Sequence, residues 1–132
     1  MKLWLDDIRR LPRLSFGVDM PDWVLAHSVN EAIEIMKSGE VTFASLDHDL
    51  GIYHQDGGNG IKLLDWMAEN NIWPKDGISV HSANPVGVKQ MIALIDRYAP
   101  YYGDSNDASR FDYESFAIFS EPTYTSRRKI KE

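Results

Sequence analysis

Aspartate and histidine residues gather directly after short apolar runs of this sequence. Asp6 and Asp7 follow the first run, His27 the second, residues 47–49 (Asp-His-Asp) the third, and residues 81–84 (His-Ser-Ala-Asn) the fourth. Carboxylates bind hard cations such as Mg²⁺, and imidazoles transfer protons near neutral pH. Residues of these types, brought together, could therefore act on a phosphate ester.

The apolar runs at 2–5, 23–26, 41–46 and 78–80 are rich in Val, Ile, Leu, Trp and Phe. Each is short and nearly continuous, which predicts strands that are covered on both faces. A fifth strand is predicted at 116–119, after a polar, turn-rich segment.

Helical patterns alternate with these runs. Ser28 and Glu31 form a capping box, Gly60 begins a second helix, and Asn84 caps a third that has Pro85 in its first turn. Residues 8–22 are predicted to form a loop or at most a short helix.

Alternating strands and helices predict an α/β fold with a doubly wound, mainly parallel sheet. Ligands of such sheets bind at the carboxyl ends of the strands, where the aspartates and histidines lie. We expect one domain over residues 1–132, with 100–132 as a C-terminal extension.

The composition excludes several classes of protein. The 132 residues include 20 acidic and 14 basic ones, a net charge of −6, and no Cys. Disulfide frameworks, thiolate zinc sites, iron–sulfur clusters and cysteine nucleophiles are thereby excluded, and broad nonspecific nucleic-acid binding is disfavoured. The apolar run at 3–5 is too short for a secretion signal, and no stretch is long enough to span a membrane. We therefore expect a cytoplasmic protein.

Asp6, Asp7 and Asp47 are predicted to project into one cleft. Neighbouring carboxylates repel one another, and a divalent ion, Mg²⁺ or alternatively Mn²⁺, would relieve that repulsion. The alternative is that these residues only cap the helices that follow them.

His48 and His81 are suited to act as acid and base on a phosphodiester, in an order that the sequence leaves open. Ser82 could bind phosphate or cap a helix, and Arg9 could hold a phosphate with two hydrogen bonds. For each of these residues a structural role is the alternative.

The pattern resembles the receiver domains of two-component response regulators. Those domains have an acidic pair after strand one, a phospho-accepting Asp after strand three, a Gly opening the next helix, and Ser/Thr-Ala after strand four. The matching residues are Asp6 with Asp7, Asp47, Gly60, and Ser82 with Ala83. Where receivers carry Lys before Pro, this chain has Glu121, which argues against a phosphorelay role.

A closer resemblance is to the cyclic-phosphate processing receiver domains, a divergent group within that superfamily. Their signature is an LDD-x-R-x-P-like start, a DHDLG-like turn and an HSANP-x-G block. This chain matches them at residues 5–12, 47–51 and 81–87, with approximate Arg-to-Pro spacing in the first block.

The resemblance implies a receiver-like (flavodoxin-like) three-layer α/β/α fold with strand order 2-1-3-4-5 and a degenerate first helix. It also implies an enzyme that acts on cyclic phosphates. Together with the gathered Asp and His residues, this leads to the hypothesis of a metal-assisted phosphoesterase that opens a cyclic phosphate: a nucleotide, another small phosphate ester or a 2′,3′-cyclic RNA end. The implied site residues are Asp6, Asp7, Asp47, His48, Asp49, His81, Ser82 and Asn84.

In the hypothesised enzyme, Asp49 would bind the metal or orient a histidine, and Ser82, Asn84 and Arg9 would contact phosphate. Three alternatives stay open: a metal-free variant of the enzyme, a signalling receiver phosphorylated on Asp47, and a non-catalytic sensor of a nucleotide or cyclic phosphate.

Overall fold

The computed structural model describes residues 1–7, 22–82, 84–101 and 123–125. In these ranges the strands are β1 (Lys2–Leu5), β2 (Trp23–Ala26), β3 (Phe43–Leu46), β4 (Ile78–His81) and β5 (Thr123–Thr125). The helices are α1 (Val29–Met36), α2 (Ile61–Asn70), α3 (Pro85–Tyr98) and a 3₁₀ helix (Gly51–Gln55) between β3 and α2. The four predicted strands are present, although β3 begins later than expected and β4 extends to include His81.

The sheet formed by the described strands has the order β2-β1-β3-β4-β5, and β1 to β4 are parallel. The predicted order is confirmed for these four strands. β5 runs antiparallel to β4, and the strand predicted at 116–119 lies outside the described residues.

The helix starts follow the predicted capping residues. The Ser28 hydroxyl accepts a hydrogen bond from the Glu31 N–H at 3.1 Å, and the Asn84 side chain accepts one from the Gly87 N–H at 3.0 Å. Pro85 is the first residue of α3, where its missing N–H costs no hydrogen bond. These caps fix the points at which the chain turns from the sheet edge into α1 and α3.

The helices of the described ranges pack on one face of the sheet, where α1 contacts α2 and α2 contacts α3. Their apolar residues form one core with Leu3 and Leu5. Trp4 alternates with these two residues and belongs to a second cluster with Trp23 and Phe43. Large apolar side chains are thus buried on both faces, as expected for a doubly wound sheet, and the fold is receiver-like α/β.

Two predicted features fall largely outside the described residues. The loop or short helix expected at 8–22 is described only at Asp22, and most of the 100–132 extension is not described. None of the helices in the described ranges has the length and apolar character that a membrane crossing requires.

Candidate functional site

The carboxyl ends of β1 to β4 lie at one edge of the sheet. The Asp6 N–H donates a hydrogen bond to the Ala26 carbonyl at 3.0 Å, and the Asp47 N–H donates one to the Leu5 carbonyl at 2.9 Å. The backbone hydrogen bonds between neighbouring strands thus continue into the residues that follow each strand. They fix the backbone from which the acidic side chains project.

Asp6, Asp7 and Asp47 form the acidic group of this edge. Each offers one carboxylate oxygen, and these three oxygens lie within 4.8 Å of one another. Asp6 is fully buried, whereas Asp7 and Asp47 are half-buried. The structure therefore brings together the three carboxylates that the sequence predicts to share a cleft.

The surroundings of Asp47 raise the pKa of its carboxyl. Burial raises the pKa of its carboxyl from 3.8 to about 6, and the nearby charges of Asp6 and Asp7 act in the same direction. Hydrogen bonds from the Ser82 hydroxyl and the His48 N–H oppose this rise in pKa without cancelling it. Asp47 therefore ionises at a higher pH than an ordinary aspartate, and a nearby positive charge would favour its ionised form.

The donor atoms of the acidic group fit a divalent cation. They are carboxylate oxygens, the ligands that Mg²⁺ prefers, and Mg²⁺ is often held in proteins by one or two carboxylates together with water. Asp6, Asp7 and Asp47 could hold such an ion, and its charge would lower the pKa of Asp47 again. Within the described ranges, the group that could hold a metal does not include Asp49.

Two glycines allow the chain to pass close to the acidic group. A Cβ atom on Gly51, whose φ is +55°, would lie 2.6 Å from Oδ2 of Asp7. A Cβ atom on Gly60 would overlap the backbone oxygen of Asp47. A side chain at either position would displace the residues that form the acidic group.

Asp49 makes its contacts with His48 and Asn84. Its Oδ1 lies 2.7 Å from Nδ1 of His48, and the Asn84 amide donates to both of its carboxylate oxygens at 3.3 Å. The structure therefore places Asp49 against a histidine, a contact that corresponds to one of the two roles hypothesised for it.

Gly87 contacts the His48 ring, and this contact was not predicted from the sequence. A Cβ atom on Gly87 would lie 2.5 Å from Cγ of His48, so the imidazole packs directly against the first turn of α3. This contact explains why a glycine belongs to the third sequence block. Only the spacing of that block could have indicated it.

His81 lies on the face of the sheet that carries Trp4, beneath the acidic group. Its Nε2 lies 3.1 Å from Oδ2 of Asp6, and its Nδ1 lies 2.7 Å from the Ser45 hydroxyl oxygen. The His81 and Trp4 rings stack with centroids 3.7 Å apart. With 1% of its surface exposed, His81 is enclosed, whereas an acid or base acting directly on substrate has to reach it.

Ser82 and Asn84 are also held by neighbouring residues. The Ser82 oxygen accepts a hydrogen bond from the Asn84 N–H at 3.2 Å, and its hydroxyl interacts with Asp47. These contacts connect the turn after β4 to the acidic group. Arg9, the expected phosphate ligand of the first block, lies outside the described residues.

One comparison with known proteins identified a related family. The model of the family described as "Cyclic-phosphate processing Receiver domain" matches residues 1–97. Searches of curated proteins and of solved structures gave no match. The match covers β1 to β4 and nearly all of α3, including the described site residues. The chain therefore has a role in processing cyclic phosphates, and it belongs to the family of cyclic-phosphate processing receiver domains.

Proposed function

We propose that the protein is a metal-assisted phosphoesterase that opens a cyclic phosphate by hydrolysis. The observation that carries this proposal is the acidic group, Asp6, Asp7 and Asp47, with the His48–Asp49 pair directly next to it in the chain. The proposed substrates are cyclic nucleotides and 2′,3′-cyclic RNA ends.

Asp6, Asp7 and Asp47 would hold a divalent ion, for which Mg²⁺ is the first candidate and Mn²⁺ the second. The bound ion would polarise the phosphoryl oxygens and offset their negative charge. The raised pKa of Asp47 supports this assignment, because it marks a carboxylate whose charge is not balanced by the described residues around it.

His48 is the proposed proton acceptor. When Asp49 accepts the hydrogen bond of Nδ1–H, the neutral ring carries its lone pair on Nε2. Among the described residues, Nε2 has no hydrogen-bond partner. It is therefore suited to take a proton from an attacking water molecule.

Hydrolysis joins the water oxygen to phosphorus and breaks one of the two phosphorus–oxygen bonds of the ring. The proton lost by the water moves to Nε2 of His48. The ring oxygen that leaves phosphorus takes up a proton from solvent, and the product is a phosphate monoester with a free hydroxyl.

The remaining site residues are proposed to position these groups. The His81 ring would position the Asp6 carboxylate, which it contacts, and the Asn84 amide would position Asp49 by its hydrogen bonds. Ser82 holds Asp47. The phosphate contact proposed for Arg9 follows from its place in the first sequence block, as does the phosphate contact expected of Ser82 and Asn84.

The test is hydrolysis of 2′,3′- and 3′,5′-cyclic nucleotides and of RNA with a 2′,3′-cyclic end, each with Mg²⁺, Mn²⁺ or EDTA. We expect turnover of at least one substrate, with loss of activity in His48→Ala and Asp47→Asn. Asp76→Asn is the matched control, because Asp76 is exposed at the opposite edge of the sheet.

Two results separate the parts of this proposal. Full activity in EDTA would exclude a role for the metal in the reaction and leave a metal-free mechanism that depends on His48. Unchanged activity in both His48→Ala and Asp47→Asn would exclude the proposed site.

A signalling receiver phosphorylated on Asp47 is the second candidate function. Asp47 is half-buried, beside two carboxylates and Ser82, in a receiver fold. This function predicts a covalent phosphate on Asp47 after incubation with a small phosphodonor such as acetyl phosphate. Turnover of a cyclic phosphate without such labelling favours the phosphoesterase.

A further inference from the structure

An aromatic pair lies beside the acidic group, and the proposed reaction does not use it. The His27 ring stacks on Tyr53, with centroids 5.3 Å apart and planes inclined by 19°. Nδ1 of His27 lies 3.1 Å from the carbonyl oxygen of Asp6. One hydrogen bond and one ring stack therefore connect Tyr53 to the acidic group.

The 3₁₀ helix that carries Tyr53 is fixed at both ends. Gly51, its first residue, packs against the Asp7 carboxylate. Beyond its last residue, Asp56 accepts hydrogen bonds from the Ser28 hydroxyl at 2.6 Å and the Asn30 amide at 2.9 Å. Because these contacts order the segment in advance, binding to Tyr53 would require little further loss of conformational freedom.

The same segment presents apolar surface to solvent. Ile52 is 78% exposed and Tyr53 is 36% exposed. Among the described residues, His27 is the ring partner of Tyr53. An ordered aromatic side chain, stacked on one side and partly open to solvent, thus borders the site proposed for the phosphate.

We propose that Tyr53, supported by His27, is a stacking platform for the base of a nucleoside cyclic phosphate. This inference rests on the proposed function and specifies its substrate class. A ribose 2′,3′-cyclic phosphate carries its base one sugar ring away from its phosphorus. A substrate whose phosphate lies at the acidic group can therefore extend its base toward the neighbouring aromatic pair.

Stacking predicts the pattern of specificity. Every base has a π face, so an aromatic platform accepts different bases with similar affinity. The protein is then expected to distinguish nucleoside cyclic phosphates from cyclic phosphates that lack a base, and to discriminate weakly among the bases.

The experiment compares 2′,3′-cyclic AMP with glycerol 1,2-cyclic phosphate, which has no base. In Tyr53→Ala we expect KM for 2′,3′-cyclic AMP to rise about fivefold or more, equivalent to about 1 kcal/mol or more. We expect kcat for cyclic AMP, and both constants for the glycerol substrate, to stay unchanged. Tyr53→Phe should restore the wild-type KM because it keeps the ring.

Tyr98→Ala is the matched control. Tyr98 is also exposed, but it is the last residue of α3. The first residue of that helix lies at the site edge, so Tyr98 lies at the end of the helix that is away from the site. An unchanged KM for cyclic AMP in Tyr53→Ala, or an equal rise for both substrates, would overturn the platform while leaving the phosphoesterase intact. Failure of the wild type to hydrolyse 2′,3′-cyclic AMP, with turnover of another cyclic phosphate, would overturn the platform alone. Failure to hydrolyse any of the cyclic phosphates would overturn the platform together with the function on which it rests.

Discussion

Nε2 of His81 lies 3.1 Å from Oδ2 of Asp6, and the other nitrogen of the same ring contacts the Ser45 hydroxyl. All three residues are buried. The innermost carboxylate of the acidic group is thus held from within the sheet. We therefore propose a positioning role for His81 and give the proposed proton transfer to His48.

Replacing His81 by Ala is expected to destabilise the protein by about 2–5 kcal/mol. The substitution leaves a cavity beside Trp4 and removes a hydrogen-bond partner from Asp6 and from Ser45. Urea unfolding followed by circular dichroism measures the loss. His54→Ala is the control, because His54 is exposed and its replacement should change stability by less than about 0.5 kcal/mol. Equal stability of the two variants would contradict the role given to His81.

Replacing His48 by Ala is expected to lower kcat about 10²–10⁴-fold, the usual contribution of a general base. Asp49→Asn should lower kcat less, because the ring would remain in place while its preferred tautomer changes. Steady-state hydrolysis of the best cyclic phosphate measures both effects. A change confined to KM would show that His48 binds substrate without transferring the proton.

The stability of the metal-free protein is expected to fall as the pH rises from about 4 to above 6. The pKa of Asp47 is about 6 in the folded protein and 3.8 as its ordinary value. The folded state therefore binds more protons in this interval, and its advantage is lost as Asp47 ionises. Unfolding midpoints measured in EDTA across this range test the trend.

Asp47→Asn is the variant that isolates this effect, and its stability should change less over the same pH interval. Saturating Mg²⁺ should also reduce the pH dependence of the wild type, because a cation favours the ionised carboxylate. An identical pH dependence in the wild type and in Asp47→Asn would contradict the assignment.

Replacing Gly87 by Ala is expected to reduce kcat at least about tenfold, with stability changed by no more than about 1 kcal/mol. The added Cβ would occupy space taken by the His48 ring, which can rotate away, whereas Ala favours a helix over Gly by about 1 kcal/mol. Paired kcat and urea-unfolding measurements test this separation. Wild-type kcat in Gly87→Ala would show that the contact does not position His48.

Local sequence signals predicted much of this structure. The apolar runs predicted β1 to β4, and the cap residues Ser28 and Asn84 predicted where α1 and α3 begin, because strands and caps depend on neighbouring residues. The convergence of Asp6, Asp7 and Asp47 followed from the rule that parallel strands end at one edge.

The different environments of His48 and His81 could not be predicted in the same way. Each follows an apolar run, but β4 extends by one residue to include His81. Because side chains alternate along a strand, that residue lies on the face that carries Ser45 and Trp4. Strand ends are the least certain part of a sequence-based prediction, and here one residue of strand decides whether an imidazole is enclosed.

The stack of Trp4 on His81 gives the protein an internal optical reporter. The indole stacks on the His81 ring, which contacts Asp6, so we expect a change at the acidic group to alter the surroundings of this fluorophore. Tryptophan emission should therefore respond when a cation or phosphate ester binds. A Trp4→Phe variant would separate this signal from that of the other three tryptophans, without any attached label.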